Sequence, residues 1–409
     1  MRANVFAGLD IGTTKTCAVI VEVGGELPRR PAIKVLGVGQ ARTSGMRREV
    51  VTDLEETTES VRAAMKEAEL MAGVSLDRVF VGVAGEHIHA KTSTGVVAVG
   101  REEIDASDVR RVHEVARAVV VPADREVLHV LPQEYLVDHR AGIRDPIGMI
   151  GTRLEAEVYI ITSSATATQN LRKAINRAGY KIDALVHESL ATSLSVLVED
   201  EKDVGVALVD LGGATTELAI FRDGKMRHIA TIPWGGVTVT NDLAKGLSIT
   251  YAEAEKAKEK YGVASAQLVD PREMVEVPGP GPGSQRQVPR ELIAHIIEQR
   301  LDEILGLVAR EIENAGEKGN LGAGVVLTGG GASLAGTTEV AQHVFGMPVR
   351  VGTPGEQLVG LVDSVRRPKF ATATGLAMYG AHRGIESGVS TGFGEGAVGR
   401  LVAWLKEFF

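Results

Sequence analysis

At 409 residues, with 44% hydrophobic and 24% charged residues, the chain has the make-up of a globular protein large enough for two or more domains. Its 45 basic and 53 acidic residues leave a net charge of −8 with no basic stripe, which argues against nucleic acid as a partner. The single cysteine, Cys17, excludes a disulfide framework and reads as a core thiol of a reducing compartment. No secretory leader pattern opens the chain, and no run of ~18 apolar residues is present to span a membrane.

In chain order, VFAGLDIGTTKTCAVIVEV reads as two strands joined by a tight turn at Gly12 to Lys15, and IKVLGVGQARTSG continues the sheet. Asp53 then caps a helix, LEETTESVRAAMKEAELMAG, that Gly73 stops in the left-handed region. From about Gly85 to Glu157 the pattern changes to a self-contained strand, helix and strand group, expected to be an inserted module. The main sheet is expected to resume at VYIITSS, followed by the helix TATQNLRKAINRAG and the segment KIDALVHESLATSLSVL. VGVALVDLGGATTELAIFRDG repeats the opening strand, glycine turn and strand roughly two hundred residues later, which predicts two similar lobes of an α/β protein. PGPGPGSQRQVP, residues 278 to 289, is expected to be a mobile loop before the helix RELIAHIIEQRLDEILGLVAREIENAG. VVLTGGGASLAG is a third glycine cluster, between a strand and a helix.

GLDIGTTK and VDLGGATT each place an aspartate at a strand end before a turn of Gly and Thr. Glycines let backbone N–H groups approach phosphate oxygens, Thr hydroxyls add donors, and Asp10 and Asp210 together suit a hydrated Mg²⁺. Two such turns facing each other would clamp a polyphosphate. Neither is a GxxxxGK[ST] loop or a GxGxxG crossover, because each turn joins antiparallel strands. Lys15 reads either as a point charge for phosphate or as a solvated turn residue.

With LTGGGASL, these motifs resemble the phosphate-1, phosphate-2 and adenosine motifs of the actin, Hsp70 and sugar-kinase superfamily. That resemblance implies an actin-like, two-lobed ATPase fold with duplicated βββαβα-type cores, and ATP with Mg²⁺ as ligands. Asp10, Gly12, Thr13, Thr14 and Lys15 would serve the first phosphate turn, and Asp210, Gly212, Gly213, Thr215 and Thr216 the second. Gly329, Gly330, Gly331 and Ser333 would line the nucleoside, with Glu255 and Lys258 directed towards ribose and base. Glu188 would face the γ-phosphate from the start of a connecting helix, as a water-activating group or simply as a residue favoured at a helix start.

Within the superfamily, AELMAG, EVLHVLPQEYLVD, GIRDPIGMIGTRLEAEVYIIT and VVLTGGGASLAG, in this order, resemble the FtsA family of bacterial cell-division proteins. The resemblance implies subdomain 1A at 1–83, an inserted SHS2-like subdomain 1C at 84–162, and 1A again at 163–195. It further implies subdomain 2A at 196–240, 2B at 241–310, 2A at 311–365, a return to 1A at 366–383 and a flexible linker at 384–395. It implies ATP binding, with at most weak hydrolysis, filaments of the protein itself, and a link from the tubulin-like protein FtsZ to the cytoplasmic face of the membrane at the septum. Arg286, Arg290, Arg300 and Glu303 fall where the family docks the FtsZ tail, and later divisome proteins would be met through 1C. Without the family, the arginines read as a basic helix face. PilM-like pilus-assembly proteins and small-molecule kinases or phosphatases of the same superfamily are the alternatives; an Hsp70-like chaperone would need a further domain.

The last stretch, GAVGRLVAWLKEFF at 396–409, gathers Val398, Leu401, Val402, Leu405, Phe408 and Phe409 on one helical arc with Trp404 at its border. A helix of that length is ~21 Å long, too short to cross a ~30 Å hydrocarbon core but suited to lying in the interface. The competing reading is a helix docked on the protein's own body. Single tails would bind lipid weakly, so several on one filament would add their affinities.

Overall fold

The computed structural model describes residues 4–24, 32–279, 283–355 and 357–389. β1 (Val5–Ile11) and β2 (Lys15–Gly24) form a hairpin with Asp10 opposite Cys17, and β3 (Ala32–Arg42) pairs antiparallel with β2. A small ribbon of β4 (Met46–Arg47) and β5 (Val50–Val51) leads to α1 (Leu54–Ala72). The Asp53 side chain caps α1 by accepting from the Glu55 and Glu56 N–H groups, and Gly73, at φ 66°, ends it. β6 (Arg78–Val83) then runs parallel to β1.

The inserted module contains β7 (His89–Ala98), α2 (Ala106–Arg117), β8 (Arg125–Val137), β9 (Arg140–Ile143) and β10 (Arg153–Ser164), in a sheet ordered β7-β10-β8-β9. VYIITSS is therefore the end of β10 and belongs to the insert, contrary to expectation. Its β-branched run gains two partners, β7 and β8, within the module itself. The main sheet resumes only after α3 (Ala165–Ala178), at β11 (Lys181–His187), followed by α4 (Glu188–Val196) and the short α5 (Glu199–Val204).

The second lobe opens with β12 (Val206–Leu211), β13 (Thr216–Arg222) and β14 (Lys225–Ile232). It continues through α6 (Gly236–Gly246), α7 (Tyr251–Tyr261), β15 (Met274–Pro278), β16 (Gln285–Pro289) and α8 (Arg290–Asn314). β17 (Val325–Thr328), α9 (Thr337–Phe345) and β18 (Val349–Val351) complete it. Its sheet, β14-β13-β12-β17-β18, repeats the first-lobe order β3-β2-β1-β6-β11 strand for strand, hairpins antiparallel and crossovers parallel. β19 (Leu358–Gly360) returns to the first sheet beside β3, and α10 (Val362–Val365) precedes α11 (Ala371–Val389).

Two further expectations change. Residues 285–289 are not loop: Gln285 to Pro289 pair with β15 in register Val275↔Val288, because alternating Val275, Val277 and Val288 bury one face of the hairpin. α11 runs through residues 384–389, the start of the stretch read as linker. Gly384 supports this continuation, because a Cβ there would come within 2.1 Å of the Phe6 ring.

α11 and α4 hold the lobes together. At Gly375 a Cβ would stand 1.9 Å from the Ala191 carbonyl oxygen, and at Gly8 one would stand 2.2 Å from Ala373 O, so both glycines are conditions of backbone contact. Thr192 and Thr372 hydroxyls bond at 2.9 Å and the Ser195 hydroxyl donates to Ala371 O at 2.7 Å across the same crossing. One continuous core runs from Leu9 and Leu190 through Leu376 to Leu208 and Phe221 of the second lobe.

Gly375→Ala should therefore lower stability by about 1–3 kcal/mol through overpacking, read as a falling midpoint in thermal unfolding. Gly319→Ala, where an added Cβ meets nothing within 4 Å, should leave the midpoint in place.

Candidate functional site

The two glycine turns face each other across the lobes. The Gly12 N–H donates to Lys15 O at 3.0 Å, closing the first turn, and the Gly212 N–H donates to Asp210 O at 3.1 Å in the second. A Cβ on Gly213 would stand 2.7 Å from the Thr14 side chain, so the approach of the turns depends on that glycine. The carbonyls of Gly212 and Gly213 accept from the Gly236 and Val237 N–H groups, at 3.0 and 2.7 Å, which seats the second turn on the start of α6. Thr13 donates to Glu49 Oε1 at 3.0 Å. Thr215 and Thr216 are buried, and the Thr216 hydroxyl donates to Trp234 O at 2.8 Å.

Asp10 is only 6% exposed, and its Oδ2 lies 3.7 Å from Lys15 Nζ, which also donates to Lys369 O at 2.6 Å. Lys15 thus faces the protein's own acids and is not a solvated turn residue. Asp210 accepts from Thr372 at 3.3 Å, and Gly329, at φ 81°, leaves it room: a Cβ there would be 2.1 Å from Asp210 Oδ1. Gly330, Gly331 and Ser333 form the following turn, in which Thr337 donates to Gly331 O at 3.4 Å. Lys258 Nζ donates to Glu255 Oε2 and Thr240 Oγ1 at 2.8 Å and to Gly236 O at 3.2 Å, so α7 presents a charged pair beside the second turn.

Three more carboxylates crowd this centre. Glu188 begins α4 and packs against Gly82, where a Cβ would come 2.8 Å from its side chain. Burial, reinforced by the charges of Asp10 and Glu49, pushes Glu188 well above the usual carboxylate range. Glu49 and Glu217 escaped the sequence reading. Burial and the neighbouring Asp10 raise Glu49 to about 7, and burial raises Glu217 to about 8 against a hydrogen bond from Thr231. Asp210 rises to about 6 by burial, opposed by Lys15. Burial alone would lower Lys15, but the neighbouring Cys17 thiol, then Asp10, Asp210 and Glu188, hold its pKa above the ordinary value. Glu217 had a legible signal, because it pairs with Asp210 across the β12–β13 hairpin; Glu49, at φ 62° in the β4–β5 turn, had none.

A ring of acids around one ammonium suits a cation or a ligand that brings one. Among the described residues no three His, Cys, Asp or Glu groups are set to enclose a metal directly, so a divalent ion here would keep part of its water shell.

Of the arginines expected on one helix face, Arg286 lies on β16 while Arg290 and Arg300 lie on α8, and each is held within the chain. Arg286, on β16, donates to Leu247 O. Arg290 grips both Glu273 oxygens, at 3.0 and 2.9 Å. Arg300 donates to Asp242 at 2.5 Å and to Glu303 at 2.7 Å and lies 5.1 Å from the Trp234 ring centroid. The β15–β16 pairing moves Arg286 off the helix, which is the physical reason for the difference. Val398, Leu401, Val402, Trp404, Leu405, Phe408 and Phe409 lie outside the described residues.

The raised carboxylates fix the sign of a pH effect. Glu49 and Glu217 hold protons in the fold that the unfolded chain releases near 4.5, so their contribution to stability is complete below that pH and is lost as pH rises through 7 to 8. The ligand-free unfolding midpoint should fall between pH 5 and 8, and the double variant Glu49→Gln, Glu217→Gln should flatten that slope in a thermal scan.

Comparisons with known proteins agree with this architecture. The profile of the family described as "Cell division protein FtsA" matches residues 207–375, and that of the "SHS2 domain inserted in FTSA" matches 85–162. Relatives named cell division protein FtsA include that of Pseudomonas aeruginosa, 42% identical over 93% of this chain and 90% of its own length. Those of Neisseria meningitidis and Escherichia coli K12 are 41% identical, covering 98% of both chains, and 38% identical, covering 99% and 98%. Among solved structures, a chain of the PilM–PilN type IV pilus biogenesis complex superposes with a TM-score of 0.66 at 16% identity, covering 92% of this chain and 98% of that one. MreB5 of Spiroplasma citri bound to ADP gives 0.57 at 14%, covering 95% and 99%. The chain is a cell-division protein of the FtsA family, with the actin-like fold and an inserted SHS2 domain.

Proposed function

We propose that the cleft binds ATP with Mg²⁺ and that the protein, assembled as filaments, ties FtsZ to the inner face of the cytoplasmic membrane at the septum. The observation that supports the nucleotide reading is the approach of Thr14 to Gly213: two glycine turns on different lobes face each other, one beside buried Asp10 and one beside half-buried Asp210, as a clamp on one polyphosphate would require. In this reading Asp10 and Asp210 hold the ion through water, Lys15 turns from Lys369 O to phosphate, and Glu255 and Lys258 meet the ribose. When bound, the ion would neutralise the acids that now crowd Lys15. Glu188 would meet the γ-phosphate side, and a residue held so far towards its neutral form is a poor base until that neutralisation occurs, in keeping with weak turnover.

The filament, FtsZ and membrane roles rest on the family and on the apolar arc at 398–409. Later divisome proteins would be met through the insert. Arg286, Arg290, Arg300 and Glu303 could dock an FtsZ tail only by exchanging the partners they already hold.

Asp210→Ala should weaken ATP binding at least tenfold in the presence of Mg²⁺ while the fold persists by circular dichroism; retained affinity removes Asp210 from the site. Full-length protein should float with anionic liposomes and bring FtsZ with it, whereas protein ending at Gly396 should not. Equal flotation of the two would sink the anchor reading.

A further inference from the structure

A second cavity, of about 320 Å³, lies away from the nucleotide cleft where α4, β18, β19 and α11 meet. Its walls include Leu194 on α4, Val198 just before α5, Leu358 on β19 and Met378 on α11, and Arg350, Thr353 and Arg366 also line it. The volume sits at the small end of ligand pockets, enough for one or two large apolar side chains and too small for a nucleotide with its phosphates.

The rim carries uneven charge. Arg350 is committed to Glu201 through two bonds of 2.6 Å and to Val196 O at 2.8 Å. Among the described residues Arg366 pairs with Asp363 alone, at 3.8 Å, and that carboxylate is 97% exposed. A solvent-exposed pair at that distance is weak, so Arg366 can take another carboxylate at little cost.

The chain itself supplies a matching group. α11 contributes Met378 to the cavity and ends at Val389, ~16 Å further along its axis at 1.5 Å per residue. Twenty residues follow, of which 390–395 can bridge up to ~20 Å, so the segment 396–409 can return to the cavity. That segment contains Leu405, Lys406, Glu407, Phe408 and Phe409, with aromatic rings next to a carboxylate side chain.

We infer that the cavity beside α11 is the dock for the chain's own segment 396–409, with Phe408 or Phe409 seated between Leu358 and Met378 and the Glu407 carboxylate on Arg366. This rests on the reading of the same residues as a membrane anchor, and adds what covers them away from lipid. The contact is intramolecular and small, so it competes with a weak single anchor but yields to several anchors held on one filament. Membrane attachment is thereby held back in the monomer and released in the assembled array.

Two measurements test the dock without sharing a failure. Thr353→Cys combined with Phe408→Cys is oxidised at low protein concentration with no lipid present; native Cys17 is fully buried, with its thiol pushed up to about 11, and can stay. An intramolecular disulfide, formed at least fivefold faster than in the pair Glu291→Cys with Phe408→Cys, is the expected result, Glu291 being exposed on α8 far along the chain. Equal rates in the two pairs, or a disulfide linking two chains, overturns the proposal. Separately, Thr353→Trp, which fills the cavity, should raise liposome flotation of the dilute monomer several-fold; unchanged flotation in a protein whose wild type does float also overturns it. If wild-type protein fails to float yet the disulfide forms, the anchor reading falls and the dock stands.

Discussion

The crossing of α4 and α11 sets the relation of the two lobes, and it exists because residue 375 has no side chain. With backbone meeting backbone at Ala191, the Thr192 and Thr372 hydroxyls come within 2.9 Å of each other, and Thr372 is then placed to reach Asp210 at 3.3 Å. The helix crossing and the second glycine turn are thus linked by two consecutive hydrogen bonds. On the other side, Gly8 lets α11 lie directly on β1, the strand that ends in Asp10. Both aspartates take their positions from one helix.

The electrostatics of the cleft are those of several buried carboxylates gathered near one ammonium. Asp10, Glu49, Glu188, Asp210 and Glu217 are all raised by burial, and Lys15 is the countercharge that Asp10, Asp210 and Glu188 share. Burying carboxylates without enough positive charge costs stability unless protons or a ligand compensate. Perturbed groups gathered in a cleft are the pattern by which candidate functional sites are recognised, and here they gather where two glycine turns meet.

Much of this was legible in the sequence, for definite reasons. Strand, Gly and Thr turn, strand is a local pattern, and its recurrence exposed the duplicated sheet now seen as β3-β2-β1-β6-β11 against β14-β13-β12-β17-β18. Asp53 and Gly73 are likewise local signals and both act as read. The misread stretches depend on partners distant in the chain. The VYII run of β10 looks like core strand because it is apolar on both faces, and only the pairing of β10 with β7 and β8 assigns it to the insert. Gln285 to Pro289 have a loop's composition and become a strand because Val275 and Val277 lie opposite. Glu49 reaches the cleft through a turn at φ 62° that no periodicity announces.

The insert adds a constraint that neither lobe reveals alone. It is rooted in the first lobe between β6 and α3, yet Gln133, buried on β8, donates to Met226 O at 3.2 Å and accepts from Arg227 at 3.2 Å, while its own carbonyl takes Lys225. Tyr159 on β10 accepts from the Ile229 N–H at 3.1 Å. These partners all sit on β14, the edge strand of the second sheet, so the insert covers an edge that would otherwise offer its backbone groups to other chains. It also fastens the second lobe at a point remote from the α4 and α11 crossing. Two separate attachments leave the lobes little freedom to rotate unless the insert moves with them or the Gln133 and Tyr159 bonds break. The width of the cleft and the orientation of the insert are therefore one mechanical variable, set by hydrogen bonds that involve no nucleotide.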